Sequence, residues 1–265
     1  MTLLFGILNI TEDSFSDGGR FLAPEAAIQQ ARKLSEAGAH VLDLGAASSR
    51  PNAKLVAPDT EIERLAPVIR SLARLGVAIS VDSFAPVVQR WALEQGVAYL
   101  NDVRGFPEPS LYPELAASPA RLIVMHSVEG LGPATGISLP PDAVLAHMER
   151  FFEERLAALV AAGIAPERII LDPGMGFFLG RETEASLEVL RRIPWLKARF
   201  GRPVLISVSR KSFLRKLAGT PLEEAGSASL AAELFAAAKG ADMIRTHEPG
   251  PLKQALTIWK ALDPD

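Results

Sequence analysis

The sequence contains no cysteine. That absence excludes disulfides, thiolate metal sites and cysteine nucleophiles, and it suits a reducing compartment. An excess of positive charge is also missing: 28 Lys and Arg against 31 Asp and Glu leave a formal net charge of −3. A nucleic-acid surface needs a broad basic patch, so no nucleic-acid partner is expected and any anionic ligand must be met by a local cluster. No Ser/Gly-rich linker, low-complexity tract or charge block divides the 265 residues, which read as a single domain over 1–265. Long hydrophobic runs are absent too. The apolar stretch 156–165 is far short of the roughly 20 residues that cross a bilayer. The opening MTLLFGILNITED lacks the basic flank and cleavage site of a secretion signal. A cytoplasmic protein with no membrane partner is the expectation.

What is present is an alternation. Short β-forming runs at 3–9, 40–44, 77–82, 98–101, 121–126, 168–172, 203–208 and 243–247 are separated by stretches with helical spacing, such as Ala27, Ala31, Leu34 and Ile62, Leu65, Ala66, Ile69, Leu72. Pro24, Pro58, Pro86 and Pro166 fall near helix starts or in loops, and Gly38, Gly76, Gly96, Gly163 and Gly240 follow helical runs. Eight βα units predict a (β/α)8 TIM barrel with parallel strands and its active site at their C-terminal ends. An open doubly wound sheet is the alternative, but no GxGxxG follows the first strand and no P-loop lysine motif occurs.

In such a barrel the residue ending each strand is a statement about chemistry. Here those residues are Asn9, Asp43, Asp82, Asn101 with Asp102, His126, Asp172, the run Ser209-Arg210-Lys211, and Arg245 with His247. Asp172 stands out, because RIILD runs from apolar strand straight into PGMG, where glycines let the backbone approach a ligand. One strand-end acid is usually a turn former or helix cap; four converging on a mouth point to a site. The basic residues after strands 7 and 8 occupy the usual phosphate position of a barrel and call for an anionic group on the substrate. Arg215 and Lys216, further along the helix, read as a solvated basic face.

The four histidines form no close metal-ligand pair. His40 and His147 read as structural or surface residues, His126 is undecided, and His247 has a partner in Arg245. Asn9 presents one hard oxygen, which suits Mg²⁺, an ion that keeps waters and takes other ligands from a substrate's phosphates. Phe15, Phe106, Phe177 and Phe178 fall in rim loops, where they would offer a surface for a flat ring to stack on, while Phe21 and Trp91 read as packing.

These residues sit in motifs that resemble dihydropteroate synthase, of the pterin-binding barrel superfamily. The stretches are GILNITEDSFSDGGRF (6–21), DLGAASSRP (43–51), SVDS (80–83), NDVRG (101–105), DPGMGF (172–177), SVSRKSF (207–213) and IRTHEP (244–249), in the family's order. The resemblance implies condensation of 6-hydroxymethyl-7,8-dihydropterin diphosphate with 4-aminobenzoate by a homodimer using Mg²⁺. It implies that Asp82, Asn101, Asp172, Lys211 and Ser49 bind the pterin. The diphosphate falls to Asn9, Arg245, Thr246 and His247, with Asn9 on the metal. Ser49, Arg50, Pro51, Phe177, Ser209 and Lys211 form the 4-aminobenzoate pocket, and the catalytic set is Asp82, Asp172, Lys211, Arg245 and His247. Two loops, 11–20 and the one carrying 49–51, would close over the site.

The chain departs from the family pattern at Glu12, at Ala46, Ala47 and Ser49 in the second loop, at Ala85, and at Phe178-Leu179. These bear on loop closure and on 4-aminobenzoate affinity. Two alternatives follow: a methyltetrahydrofolate-dependent corrinoid methyltransferase, which has no diphosphate to hold, and a pterin-binding paralogue that no longer docks the second substrate.

Overall fold

The computed structural model describes residues 2–11, 23–48, 55–128 and 139–263. The strands are β1 (Leu3–Asn9), β2 (Val41–Gly45), β3 (Ala78–Asp82), β4 (Tyr99–Asp102), β5 (Arg121–Met125), β6 (Ile169–Asp172), β7 (Leu205–Ile206) and β8 (Met243–Thr246). Around them lie α1 (Pro24–Glu36), α2 (Pro58–Leu72), α3 (Pro86–Glu94), α4 (Tyr112–Ala117), α5 (Pro141–Ala161), α6 (Thr183–Arg191), α7 (Ile193–Phe200), α8 (Ser212–Ala218), α9 (Gly226–Ala238) and α10 (Pro249–Leu262). Every strand pairing is parallel, in the order β6-β5-β4-β3-β2-β1-β8-β7. The remaining gap closes through a bridge between Leu171 and Val204, with the Leu171 N–H donating to the Pro203 carbonyl at 2.9 Å. The (β/α)8 barrel expected from the alternation is the fold.

Helix punctuation follows the sequence chemistry. Proline stands at the first turn of α1, α2 and α3, where its missing N–H has no intrahelical partner to lose. Gly38, Gly76, Gly96, Gly163 and Gly240 all take positive φ after helices.

Strand ends differ from expectation by one or two residues, and β7 shrinks most, from 203–208 to two residues. Pro203 has no N–H to give, and the Val204 N–H is taken by the Asp242 carboxylate at 2.9 Å rather than by a neighbouring strand. His126 and His247 stand just beyond their strands instead of ending them. His40 precedes β2, where its Nδ1 accepts the Leu4 N–H at 3.0 Å.

The two faces of each strand make separate cores. Residues Leu4, Leu8, Leu42, Leu44, Val81, Leu100, Leu122, Val124, Leu171 and Ile244 point outward against Ala27, Ala31, Leu34, Leu65, Ile69 and Leu72 of the helices. Phe5, Val41, Tyr99, Ile123, Ile170, Leu205 and Met243 point inward and plug the barrel. Side chains alternate with period two, so the inward face two residues further along each strand forms the next layer. That layer is Ile7, Asp43, Ser80, Asn101, Met125, Asp172, Ser207 and Arg245, and it is predominantly polar. Apolar packing below positions polar groups above.

Candidate active site

Above the apolar plug, the polar layer is buried. Asp43, Ser80, Asn101, Asp172 and Arg245 are each less than a tenth exposed. Asp43 Oδ1, Ser80 Oγ, Asn101 Oδ1, Asn101 Nδ2 and Asp172 Oδ2 have no hydrogen-bond partner within the protein. Each such atom costs about 1–3 kcal/mol when left unmade. Five in one layer are a built set of donors and acceptors for a polar ligand. Asn101 supplies both a donor and an acceptor, while Asp43 and Asp172 accept.

One cation organises the carboxylates. Arg245 Nη2 lies 2.8 Å from Asp43 Oδ2, and its Nη1 lies 3.7 Å from Asp82 Oδ2. Burial pushes the Asp82 carboxyl up to about 7; Arg245 opposes that, and the neighbouring Asp43, Asp102 and Asp172 reinforce it. Asp172 is also raised by burial, against the pull of Arg245, of the Gly174 N–H and of Lys211. Lys211 is lowered by burial to about 8, with Asp172 holding it up. Arg245 is raised above its ordinary value, because Asp43, Asp82 and Asp172 outweigh its own burial. Burial raises Asp82 and Asp172 against the pull of Arg245 and Lys211, so a ligand bringing positive charge over these two acids would favour their ionised forms.

Loop conformation brings the remaining groups in. Gly174 takes φ +71, and a Cβ there would stand 2.3 Å from the His126 carbonyl oxygen, so only glycine permits the turn after Asp172. Its N–H donates to Asp172 Oδ1 at 2.8 Å. Gly176, at φ +66, leaves room for the Lys211 side chain, whose Cδ would lie 3.4 Å from an added Cβ. Lys211 Nζ sits 5.2 Å from the Phe178 ring centroid. The cleft of about 210 Å³ is lined by Ile7, Asn9, Asp43, Asp82, Phe177, Phe178, Ser209, Lys211, Arg245 and His247 among others.

The placement of individual residues refines the sequence reading. Ser49, Arg50, Pro51, Glu12, Phe15 and Phe21 lie outside the described residues. Asp102 does not join the other acids: one residue beyond Asn101, it points outward, where it accepts from the Arg104 and Phe106 N–H groups and from Gln89. Thr246 likewise faces out, and its hydroxyl accepts the Glu248 N–H at 3.1 Å. Phe106 is buried at φ 57 rather than on the rim. Trp91 packs on the core as expected. Arg215, read as a solvated residue, lines the cleft.

His126 is structural. Its Nδ1 donates to the Pro173 carbonyl at 3.0 Å, so its Nε2 accepts from His147 Nδ1 at 2.9 Å. In the second loop Ala46 is fully buried and its carbonyl accepts Arg64 Nη1 at 3.0 Å, while Ala47 and Ser48 line the cleft. Asp43, expected among the converging strand-end acids, had been given no substrate role, and Ser207 was not read as a site residue. Their signal was the inward parity of their strands, two residues beyond Val41 and Leu205.

A metal cage is not built here: among the described residues no group of three His, Asp or Glu is placed to hold an ion. Asn9 lines the mouth, and its Oδ1 would stand 3.7 Å from a Cβ added to Gly45. One amide oxygen at the mouth fits an ion that keeps waters and shares a substrate's phosphates.

A barrel mouth with these features defines a class: an enzyme site for a flat polar ring that carries an anionic tail. The model of the family described as pterin binding enzyme matches residues 5–247. The type-2 dihydropteroate synthase of Escherichia coli is 57% identical over 260 residues, covering 98% of this chain and 96% of the relative. A structure of Xanthomonas albilineans dihydropteroate synthase with 4-aminobenzoic acid superposes with TM-score 0.88 at 36% identity, covering 98% and 93% of the two chains. The same enzyme in complex with 7,8-dihydropteroate superposes with TM-score 0.82 at 32% identity, covering 98% and 92%. The chain belongs to the pterin-binding enzymes and, within them, to the dihydropteroate synthase family.

Proposed function

We infer that this chain is a transferase that joins 6-hydroxymethyl-7,8-dihydropterin diphosphate to 4-aminobenzoate, giving 7,8-dihydropteroate and diphosphate in folate biosynthesis. The observation that carries the reading is the buried layer of unpaired Asn101, Asp172 and Asp43 atoms in a barrel mouth whose cleft is lined by Asp43, Lys211, Arg245 and His247. The first group matches the amide and amidine edge of a pterin, and the second matches a diphosphate. A corrinoid methyltransferase would have no use for the second group.

Each step then has its residues. Asp172 accepts from the amidine edge, Asn101 donates and accepts beside it, and Asp82 faces the neighbouring ring nitrogens. Arg245 and His247 stabilise the charge that grows on the diphosphate as the exocyclic C–O bond breaks. The electron-rich dihydropterin carries the resulting positive charge, which the Asp82 and Asp172 carboxylates favour. Lys211 covers the ring and keeps water from the cationic carbon. The aryl amine of 4-aminobenzoate is neutral at pH 7 and attacks without a strong base. Phe177 and Ser209, with Ser49, Arg50 and Pro51, are its pocket. Mg²⁺, held by Asn9 and the diphosphate, would supply further charge neutralisation at the leaving group.

The enzyme is read as a cytoplasmic homodimer. The cysteine-free composition supports the compartment. Among the described residues no helix is long and apolar enough to cross a membrane. Ile258, Trp259 and Leu262 on α10 are 61%, 44% and 80% exposed, which supports an apolar contact between copies.

Diphosphate release by purified protein, with and without 4-aminobenzoate, tests the reaction. Release accompanied by dihydropteroate supports it. Binding of the pterin diphosphate without a 4-aminobenzoate-dependent product would replace it by the non-catalytic reading and turn attention to Ala46, Ala47 and Ser49.

A further inference from the structure

The turn that carries Lys211 into the cleft is held from outside the barrel. Val208, Ser209, Arg210 and Lys211 make a four-residue turn, closed by the Lys211 N–H donating to the Val208 carbonyl at 3.1 Å. Arg210, its third residue, takes φ 58, and among the described residues only Phe106 shares a positive φ without being glycine. A positive φ at the third position alone is the pattern of a type II turn, which prefers glycine or asparagine there because a Cβ crowds the backbone. Arginine occupies the position here. Its side chain lines the cleft and brings Nη2 to 4.0 Å from Glu248 Oε1, two uses that glycine could not serve.

A buried serine meets the strained residue. Ser229, on α9 and 2% exposed, accepts the Arg210 N–H through Oγ at 2.8 Å. Its own hydrogen is committed to the Ala225 carbonyl at 2.7 Å, which leaves an oxygen lone pair facing the turn. Lys211, the next residue, has little room. Its stem passes Gly176, where an added Cβ would stand 3.4 Å from Lys211 Cδ and 3.9 Å from its Cβ, and its Nζ lies 5.2 Å from the Phe178 ring centroid. A change of φ at Arg210 would swing the following peptide and take the lysine stem out of that slot. We propose that Ser229 is a positioning residue for Lys211: by holding Arg210 in the left-handed region it aims the lysine side chain past Gly176 into the cleft, against the substrate's ring.

A merely structural serine and a positioning one make different demands on residue 210. A serine that only satisfies a buried donor costs the same to remove whatever side chain stands there. A serine that holds a strained residue in place loses its importance once the strain is gone. Glycine takes positive φ as readily as negative, so in Arg210→Gly the turn keeps its shape with or without Ser229. Arg210→Ala removes the guanidinium but keeps the Cβ, and with it the dependence on Ser229.

This inference rests on the reading of Lys211 as a pterin residue, and two readouts on the full chain separate them. The first needs no ligand: the titration of Lys211 in protein labelled with [ε-¹³C]lysine, its signal assigned by loss in Lys211→Gln. Burial lowers Lys211 to about 8, with Asp172 and Asp82 holding it up and Arg245 adding to the fall, so its midpoint reports whether the side chain is in its slot. Ser229→Ala should raise the midpoint by at least about one pH unit toward the ordinary lysine value near 10.4. The same substitution should raise it equally in the Arg210→Ala background and leave it in place in the Arg210→Gly background. The second readout is calorimetric binding of pterin diphosphate, which Ser229→Ala should weaken about 10-fold alone or with Arg210→Ala, and by no more than about threefold with Arg210→Gly. A Lys211 midpoint that ignores Ser229→Ala, or that moves equally in all three backgrounds, would overturn the proposal. A displaced Lys211 with undiminished pterin diphosphate binding would overturn it at its functional end, and equally tight binding by Lys211→Gln would then place the fault in the reading of the site. Alanine is a good helix former and suits α9. If Ser229→Ala nevertheless fails to fold, thermal melts of Arg210→Gly and Arg210→Ala decide: the glycine variant should melt higher, because only it is free of the strain, and the reverse order would overturn the proposal.

Discussion

Asp172→Asn separates a ligand-binding carboxylate from a structural cap. Asp172 Oδ1 accepts the Gly174 N–H at 2.8 Å, and Oδ2 has no partner within the protein. An asparagine oxygen can keep the first bond, so the turn survives. The substitution replaces the orphan carboxylate oxygen by an equally unpartnered but uncharged amide nitrogen, so the gain is that of unburying a charge alone, about 1–3 kcal/mol. It also removes the carboxylate that holds Lys211 up and shares Arg245, a loss of similar size. The free protein should therefore stay within about 1 kcal/mol of wild type, or roughly 2–4 °C in Tm. The ligand loses far more. A carboxylate across an amidine edge makes two charge-assisted bonds of about 1.5–3 kcal/mol each, so pterin diphosphate should bind roughly 10²- to 10⁴-fold more weakly. Titration calorimetry and a thermal melt on one preparation measure both. An affinity within about threefold of wild type, or a Tm that falls by more than about 10 °C, would refute the assignment and return Asp172 to the role of a cap.

Three other expectations follow from particular contacts. Gly174→Ala forces a Cβ to 2.3 Å from the His126 carbonyl at φ +71, so urea unfolding should show a loss of about 3 kcal/mol or more; less than about 1 kcal/mol would mean that the turn yields easily. His126 is held down to about 3 by burial, with the Pro173 bond opposing and His147 adding. Its folded pKa is below the unfolded value, so the unfolded chain binds the extra proton and this stability is lost as pH falls below about 6.5. Relative to His126→Asn the wild type should lose about 2 kcal/mol between pH 6.5 and 5, and parallel pH curves for the two proteins would contradict the buried neutral pair. Ile258→Ser with Trp259→Ser should yield a monomer by light scattering at micromolar concentration, and a monomeric wild type would remove the homodimer proposal.

Much of the barrel was legible in the chain because its punctuation is local. Prolines with no N–H to lose mark the helix starts, and glycines at positive φ mark the helix ends; both act within a few residues. The motif residues Asp82, Asn101, Asp172, Lys211, Arg245 and His247 were legible for a related reason: in a barrel the strand ends converge whatever the helices do. What failed was anything depending on one residue of register. Asp102 and Thr246 sit next to site residues in sequence, yet they face the helices, because the pleat reverses sides at each step. Arg215 was read from its helix alone, and only the packing of α8 against the mouth brings it into the cleft.

The sequence by itself determined the alternation, the punctuation and the polar residue types at the strand ends, since these depend on backbone chemistry and side-chain valence within short stretches. Only the tertiary structure decided which groups share a proton or a charge. Asp43 and Arg245, 2.8 Å apart, are separated by most of the chain. His126 Nε2 and His147 Nδ1 meet at 2.9 Å although they belong to a strand end and a helix 21 residues further along the chain. Burial and distance set those couplings, and both are properties of the closed barrel rather than of any segment in it.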